Sequence, residues 1–222
     1  MDEKRYSCEH VVEIAQEPRH HLVIENEFVR AFVVEVAPHD RTLCHRHPHD
    51  YLLYVVGDGE IVSAARDEEP KQLSYRDGEC ELLQAGMVHV VENLSDRAFR
   101  NVVVELLPGG DRLRRGVEPL PIAGEANITR SFDDERAAIL LLEMESGSEV
   151  LICGPVVVAG SSPGEIRLEL GIAGLNDFNG LAWIPAGKKV RLQTPANAVR
   201  RALLFQLGRV DEPSVAKPVG GV

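Results

Sequence analysis

The chain has few aromatic side chains and no long apolar run. Phe, Trp and Tyr make up 5% of its 222 residues, whereas hydrophobic residues as a class make up 44%. The cores must therefore consist mainly of Val, Leu, Ile and Ala. The charged start, Met1 to Arg5, is not followed by an apolar segment, which predicts neither a secretory signal nor a membrane span. We therefore expect a cytoplasmic protein.

Concentrated positive charge is also missing. The formal net charge is −11, and the densest basic cluster contains only Arg112, Arg114 and Arg115. Nucleic acids and anionic membranes both select for clustered Lys and Arg. We therefore expect neither nucleic acid nor a membrane as a partner.

The cysteines form no Cys-x-x-Cys pair. Cys8, Cys44, Cys80 and Cys153 lie far apart along the chain. This spacing excludes a zinc ribbon. It fits reduced thiols in a cytosolic protein better than a disulfide framework, and we therefore predict free thiols.

Short β-rich runs dominate the sequence from Leu22 onwards. Segments such as Val29 to Val36 and Phe99 to Leu107 are rich in β-branched residues. Turn sequences, for example Gly57-Asp58-Gly59 and Arg76-Asp77-Gly78, separate them. Many short strands at this spacing predict an all-β sandwich or barrel.

A polar, proline-containing stretch from Pro108 to Arg130 divides the chain. We read it as an interdomain connection, and predict an N-terminal domain over residues 1–115 and a C-terminal domain over residues 116–222.

The two halves resemble each other in order and direction. Phe32 to Val36 parallels Leu140 to Met144, and Gly78 to Gly86 parallels Gly180 to Gly187. The parallel predicts an internal duplication.

The histidines are confined to the first half of the chain, because all eight lie at or before His89. His45 and His47 alternate, so on a strand both point to one face and can reach one metal ion. His89 follows a glycine turn and is expected to come from a neighbouring strand. Imidazole is a common ligand of transition metals, so His45, His47 and His89 are the predicted metal ligands.

Together these segments resemble the two motifs of the cupin superfamily, G-x5-H-x-H-x3-4-E-x6-G and G-x5-P-x-G-x2-H-x3-N. In the second motif Gly78, Gly86, His89 and Asn93 match at the family spacing, and Gln84 replaces the proline. The resemblance implies two cupin barrels in tandem, which are double-stranded β-helices of the jelly-roll type. Laid over the first half, the metal positions of the second half fall approximately at Cys153, Pro155 and Val190, which implies a degenerate C-terminal barrel.

The first motif departs from the family at three positions, where this chain has His39 for the leading glycine, Asp58 for the trailing glycine and Tyr51 for the glutamate. The resemblance then implies a three-histidine site, as in some cupin dioxygenases. Tyr51 could be a fourth ligand, a hydrogen-bond donor to the substrate or a packing residue, and we favour the donor because a neutral phenol coordinates poorly. His49 is the rival for proton transfer, and Asp50 could orient a ligand histidine.

The leading functional hypothesis is a metal-dependent cupin enzyme, a mononuclear dioxygenase-type oxidoreductase acting on a small organic substrate. Fe(II) is favoured from the resemblance, and Zn, Mn or Ni would instead suit a metal-dependent isomerase or decarboxylase. A non-catalytic, metal-stabilised module that binds small ligands is the alternative from another class.

A homodimer is expected because cupin barrels often pair through their strand edges. Among the other histidines, His10, His20 and His21 are interpreted as surface or hydrogen-bonded core residues.

Overall fold

The computed structural model describes residues 6, 8–112, 123–124, 126–134, 136–160, 167–169, 181–194 and 200–207. The domain boundary predicted between residues 115 and 116 lies outside these residues. In the part of the chain that the structure describes, regular structure consists of β-strands and short 3₁₀ turns. No helix there is long and apolar enough to cross a membrane.

The strands divide into two sets along the chain. The first set comprises β1 (Val12–Glu13), β2 (His20–Glu25), β3 (Val29–Val36), β4 (His45–Arg46), β5 (Tyr51–Val56), β6 (Gly59–Ala65), β7 (Lys71–Tyr75), β8 (Cys80–Leu83), β9 (Val88–Asn93) and β10 (Phe99–Leu106). The second set comprises β11 (Ala123–Gly124), β12 (Ala126–Asp133), β13 (Ala137–Met144), β14 (Glu149–Cys153), β15 (Val156–Gly160), β16 (Arg167–Glu169), β17 (Leu181–Ile184), β18 (Lys189–Gln193) and β19 (Arg200–Leu207).

Each of the two sets forms two sheets, and the arrangements are similar. The first set makes sheet 1, in the order β1-β4-β9-β6-β7, and sheet 2, in the order β2-β3-β10-β5-β8. The second set makes sheet 3, β11-β14-β18-β16, and sheet 4, β12-β13-β19-β15-β17. Sheet 4 repeats the order of sheet 2 strand for strand, which confirms the predicted duplication. Each pair of facing sheets encloses a barrel interior.

Alternating side chains on β10 contribute to two different hydrophobic cores. Phe99 and Val103 point into the first barrel, where they pack with residues such as Phe32 and Ile61. Val102 and Val104 point the other way and join a core that includes residues of sheet 4. This alternation follows from the two-residue period of a strand. Sheets 2 and 4 therefore pack back to back through an apolar layer, and a third core fills the second barrel.

Two glycines of the second sequence motif adopt a left-handed backbone. Gly78 has a φ of +89° and Gly86 a φ of +92°. Residues with a Cβ rarely adopt such angles, so both glycines are required by the turns that frame β8. Asn93 closes the motif, because its amide nitrogen donates to the carbonyl oxygens of Val36 and Arg97 at 3.0 and 2.7 Å.

The prediction of four free thiols is wrong. Cys8 and Cys44 form a disulfide bond, with Cα atoms 5.3 Å apart, whereas Cys80 and Cys153 are free. Sequence spacing did not reveal the pair because the two cysteines are 36 residues apart and meet only through tertiary structure. The bond attaches the chain before β1 to the residue beside His45. Disulfides persist mainly in oxidising compartments, so the cysteines no longer support a cytoplasmic location.

Candidate metal centre

Four buried histidines meet at one end of the first barrel. His20, His45, His47 and His89 are each at most 8% exposed. Ring nitrogens of His20, His45 and His47 all lie within 4.8 Å of one another. The Nε2 atom of His89 lies 3.1 Å from Nε2 of His45. His45 is therefore the central member, with ring centroids 4.6 Å from those of both His20 and His89.

Strand pairing explains why these residues meet. His45 on β4 is the direct antiparallel partner of His89 on β9, so the two sequence motifs lie side by side in sheet 1. His47 continues from β4, and its backbone nitrogen donates to the carbonyl of Met87 at 2.9 Å. His20 comes from the other sheet, where it starts β2 and pairs with Val34 of β3.

His20 is the residue that sequence reasoning missed. It was interpreted as a surface or core histidine, and it is indeed buried and hydrogen-bonded, but it also belongs to the cluster. The sequence shows only the pair His20-His21 with an acidic residue, Glu17, three positions before it, and this pattern does not predict a contact with His45. His10 and His21 are exposed, in agreement with the sequence interpretation.

Hydrogen bonds on the outer ring nitrogens set the direction of three imidazoles. Nδ1 of His20 lies 2.8 Å from a Glu17 carboxylate oxygen, and Nδ1 of His45 donates to the Leu43 carbonyl at 2.9 Å. Nδ1 of His89 lies 3.3 Å from the Ser63 hydroxyl. In each case Nε2 is left for another partner. Histidines that bind metals are held in this way, with the second nitrogen bonded to a carboxylate, carbonyl or other polar group.

The ring nitrogens of His47 indicate whether a metal ion would fit among the histidines. Both of its ring nitrogens are buried, and neither has a hydrogen-bond partner among the residues that the structure describes. A buried polar atom left without a partner costs about 1–3 kcal/mol. The Nε2 atoms of His45 and His89 are 3.1 Å apart. Two nitrogens that each lie about 2.1 Å from one ion have this separation when the nitrogen–ion–nitrogen angle is roughly 95°. The residues therefore fit a metal ion held by imidazole nitrogens.

Burial keeps these imidazoles neutral. It lowers the pKa of His45 to about 4, with a smaller contribution from His20. Burial also lowers the pKa values of His47 and His89 well below the usual range, and the neighbouring histidines add to the effect. Neutral imidazole is the form that binds metals, so no proton has to be displaced from these rings near neutral pH.

Glu17 is a buried carboxylate beside the cluster. It is 1% exposed, and it accepts hydrogen bonds from His20, from the Leu43 backbone nitrogen at 3.1 Å and from the Arg19 backbone nitrogen at 2.7 Å. Burial alone would raise its pKa, but these hydrogen bonds, led by that of His20, lower the pKa to about 2. Glu17 takes the orienting role that the sequence suggested for Asp50. Asp50 instead accepts from the Ala85 nitrogen and pairs with Arg136.

Tyr51 and His49 lie in different places. The Tyr51 ring stacks on His47, with centroids 4.0 Å apart and planes inclined by 16°, and its hydroxyl donates to the Met87 sulfur at 3.4 Å. Burial raises the pKa of the phenol well above its usual range. His49 lines a second cavity beside Asp50 and Arg136, not the cavity that contains the other histidines.

A cavity of about 250 Å³ opens from the cluster into the first barrel. Its inner walls are mainly apolar and include Leu53, Ile61, Leu83, Phe99 and Val103. Three of the histidines, Tyr51, Asn101, Thr42 and Ser63 add polar groups. The exposed residues of the lining include Glu68, Glu69, Lys71 and Glu81. A concave, largely apolar space with a few convergent polar groups is typical of a small-molecule site.

The second barrel has apolar residues or no side chain at the equivalent positions. Ile152 pairs with Val190 as His45 pairs with His89, and both are buried in the core. The Gly154 nitrogen donates to the Lys188 carbonyl, as His47 does to that of Met87. The equivalents are therefore Ile152, Gly154 and Val190, a correction of one residue to the expected Cys153 and Pro155. A Cβ on Gly154 would lie 2.1 Å from the Ile184 carbonyl oxygen, so this position excludes a histidine.

Comparison with known proteins gives a fold and no closer relative. No protein-family model matches the chain, and no curated protein is significantly similar to it. Among solved structures, a vicilin from Solanum melongena is similar with a TM-score of 0.57 and 17% identity, over 82% of this chain and 75% of that chain.

Two further solved structures of similar fold are described as a cupin and as a dioxygenase. A cupin 2 conserved barrel domain protein from Leptotrichia buccalis has a TM-score of 0.50 at 12% identity, over 87% of this chain and 89% of that chain. A salicylate 1,2-dioxygenase from Pseudaminobacter salicylatoxidans has a TM-score of 0.53 at 12% identity, over 84% and 75%. At these identities the likeness establishes the fold. The chain is therefore a bicupin by fold, with two cupin barrels in tandem and a histidine cluster in the first.

Proposed function

We propose that the first barrel is a mononuclear metal centre and that the protein is a metal-dependent oxidoreductase of the dioxygenase type, acting on a small organic substrate. The observation that carries the proposal is His47, whose two buried nitrogens have no partner among the described residues although three other imidazoles surround it. His20, His45, His47 and His89 would hold the ion.

The imidazole nitrogens of the site are suitable ligands for iron and also for other transition metals. Imidazole nitrogens suit Fe, Zn, Cu and Ni, whereas Mg and Ca prefer oxygen. Fe(II) is favoured because His45, His47 and His89 resemble the three-histidine sites of some cupin dioxygenases, and the fold is shared with a salicylate 1,2-dioxygenase. Bound iron would supply the one-electron chemistry that O₂ activation requires. A bond-cleaving dioxygenase reaction needs no external reductant, because the organic substrate itself supplies the four electrons that reduce O₂.

The chain's own residues would position the substrate and exclude water. The apolar walls of the cavity keep bulk solvent from the cluster. Tyr51, with its raised pKa, stays protonated at neutral pH and is therefore a hydrogen-bond donor and not a base. Its ring also fixes His47 by stacking. The proton-transfer role of His49 stays a prediction, as do the cytoplasmic location and the homodimer.

The test is metal content followed by turnover. Protein purified without added metal should contain close to one transition-metal ion per chain, and His47→Ala should lose it while the exposed-histidine control His21→Ala keeps it. O₂ consumption should then be screened with Fe(II) and a panel of diketones, catechols, thiols and hydroxy acids. Absence of metal from the wild type after reconstitution would contradict the metal centre.

Two outcomes would select the other functions of the same site. Conversion of a panel compound without O₂ uptake, with Zn, Mn or Ni, would indicate an isomerase or decarboxylase. Saturable binding of a compound with no turnover under any metal would indicate a non-catalytic binding module. The vicilin of similar fold is described as having different anionic ligands in its pockets, but the acidic lining residues here do not favour anions.

A further inference from the structure

Asn101 is a buried amide that the metal centre does not use. It lies in the middle of β10, is 6% exposed and lines the cavity. Its Oδ1 atom is buried and has no hydrogen-bond partner among the residues that the structure describes. Leaving a buried acceptor without a partner is unfavourable, so the position requires an explanation.

The residues that flank Asn101 in its sheet are apolar, and none of the residues that the structure describes donates to its Oδ1 atom. Its cross-strand neighbours in sheet 2 are Val34 and Val55, and the inward residues before and after it on β10 are Phe99 and Val103. All four belong to the same apolar core. A strand-forming valine would fit this position, and the amide therefore serves something that enters the cavity.

Asn101 faces the histidines at a defined spacing. His20 pairs with Val34, and Val34 pairs with Asn101, so the two residues occupy the same level of sheet 2 on strands two apart. Neighbouring strands are about 4.8 Å apart, which places the two backbones roughly 10 Å from each other. A ligand that spans this distance would touch the metal centre at one end and Asn101 at the other.

The charge of the exposed lining restricts the ligand further. Glu68, Glu69 and Glu81 contribute three carboxylates, and Lys71, whose Nζ lies 2.6 Å from Glu68, contributes one ammonium group. This excess of negative charge disfavours anions at the opening. The volume of about 250 Å³ lies just below the range of about 300–1,000 Å³ for drug-sized pockets, so the ligand is small.

We propose that Asn101 is a specificity-determining residue and that the substrate is a small uncharged or cationic molecule with an apolar body. One end carries an oxygen or nitrogen that binds the metal, and the other carries an O–H or N–H group that donates to Oδ1 of Asn101. The proposal rests on the metal centre proposed above, and its experiment separates the two.

The experiment uses Co(II)-loaded protein and a matched series of benzohydroxamic acids, whose hydroxamate group chelates metal ions. The series contains the unsubstituted acid, the 3- and 4-hydroxy compounds, their methyl ethers and the 4-carboxy compound. Dissociation constants are measured by calorimetry, and the visible spectrum of Co(II) reports whether each compound reaches the metal. The proteins are wild type, Asn101→Val, Asn101→Ser and the control Asn127→Val, which changes an exposed asparagine of the second barrel.

In the wild type and Asn127→Val, one hydroxy compound is expected to bind about tenfold more tightly than its methyl ether, and the carboxy compound to bind more weakly than either. Asn101→Val should remove this preference without weakening the unsubstituted acid. Asn101→Ser, which retains a polar group and guards against misfolding of the valine variant, should keep a reduced preference.

Three results would overturn the proposal. If the hydroxamates bind Co(II) but show no hydroxyl preference, the role of Asn101 fails and the metal centre stands. If Asn101→Val raises the thermal midpoint and leaves every ratio unchanged, Asn101 serves only internal water. If the protein binds neither Co(II) nor any hydroxamate, the metal centre fails and the substrate assignment fails with it.

Discussion

The carboxylate of Glu17 lies 2.8 Å from Nδ1 of His20, and both side chains are buried beside the other three histidines. This contact fixes which nitrogen of His20 faces the cluster. Neither residue belongs to the two sequence motifs that identify the other histidines. The histidine cluster therefore includes a part that the motifs do not describe.

Glu17→Gln is expected to weaken metal binding by about 10- to 100-fold, because outer carboxylates hold the ring and increase its basicity. A competition titration against a chromophoric chelator measures the change. Asp40→Asn is the matched control, since Asp40 pairs with Arg19 but contacts none of the four histidines. An unchanged affinity in Glu17→Gln would show that His20 is not a ligand.

Acid should destabilise the metal-free wild type more than it destabilises Glu17→Gln. The pKa of Glu17 is lowered from 4.5 to about 2 in the folded protein, so its stabilising contribution is complete above the unfolded value and is lost as pH falls towards 2. The expected difference is on the order of 3 kcal/mol, measured by urea unfolding at several pH values. Because Glu17 interacts with His20 and His45, the difference between the two proteins reports this coupled group and not Glu17 alone. Parallel pH profiles would contradict the prediction.

Metal should stabilise the protein at one site per chain. An ion at 100 times its dissociation constant adds about 2.7 kcal/mol to the free energy of unfolding, and chelation should reverse the gain. His45→Ala, which removes the central ring, should abolish the shift in thermal midpoint, whereas His21→Ala should preserve it. A stoichiometry of two would contradict the reading of the second barrel, where Ile152 and Val190 replace the histidine pair.

Tyr51→Phe should lower turnover without changing metal affinity. The substitution keeps the ring that stacks on His47 and removes the hydroxyl that lines the cavity. Tyr54→Phe is the control, because Tyr54 lies on the same strand but packs in the layer between the barrels. The comparison requires kcat and KM for a substrate found in the panel. If Tyr51→Phe and Tyr54→Phe have equal kcat and KM values, Tyr51 serves only in packing.

Reduction of the Cys8–Cys44 disulfide should lower the free energy of unfolding by about 3–4 kcal/mol, as estimated from the length of the loop that it closes. Cys8→Ser should show the same loss and become insensitive to reductant, while Cys153→Ser stays sensitive. Thiol titration of the unfolded wild type should find two thiols before reduction and four afterwards. Four thiols in protein kept under air throughout would contradict the bond.

The sequence predicted the parts of the fold that depend on local pattern. The strand from Val29 to Val36 and the turns at Gly78 and Gly86 follow from β-propensity and from the freedom of glycine, and both are present. The duplication followed from matching segments, and the equal strand orders confirm it. His45 and His89 were linked by motif spacing, and they are direct partners across β4 and β9.

Features that depend on long-range packing could not be predicted in this way. His20 reaches the cluster from the opposite sheet, and its distance from His45 along the chain carries no signal of that contact. The same holds for Cys8 and Cys44. The equivalent positions in the second barrel depend on strand register, because a shift of one residue turns every side chain to the other face. The register shows that the equivalent of His45 is Ile152 and not Cys153.

Asp50 pairs with Arg136, which lies at the start of the second half of the chain, and also accepts from the backbone of Ala85. It thereby connects the loop after His47 with the loop before His89 and attaches both to the other barrel. The second barrel, which carries no histidine, therefore supplies a counter-charge to the loops that carry the histidines of the first barrel.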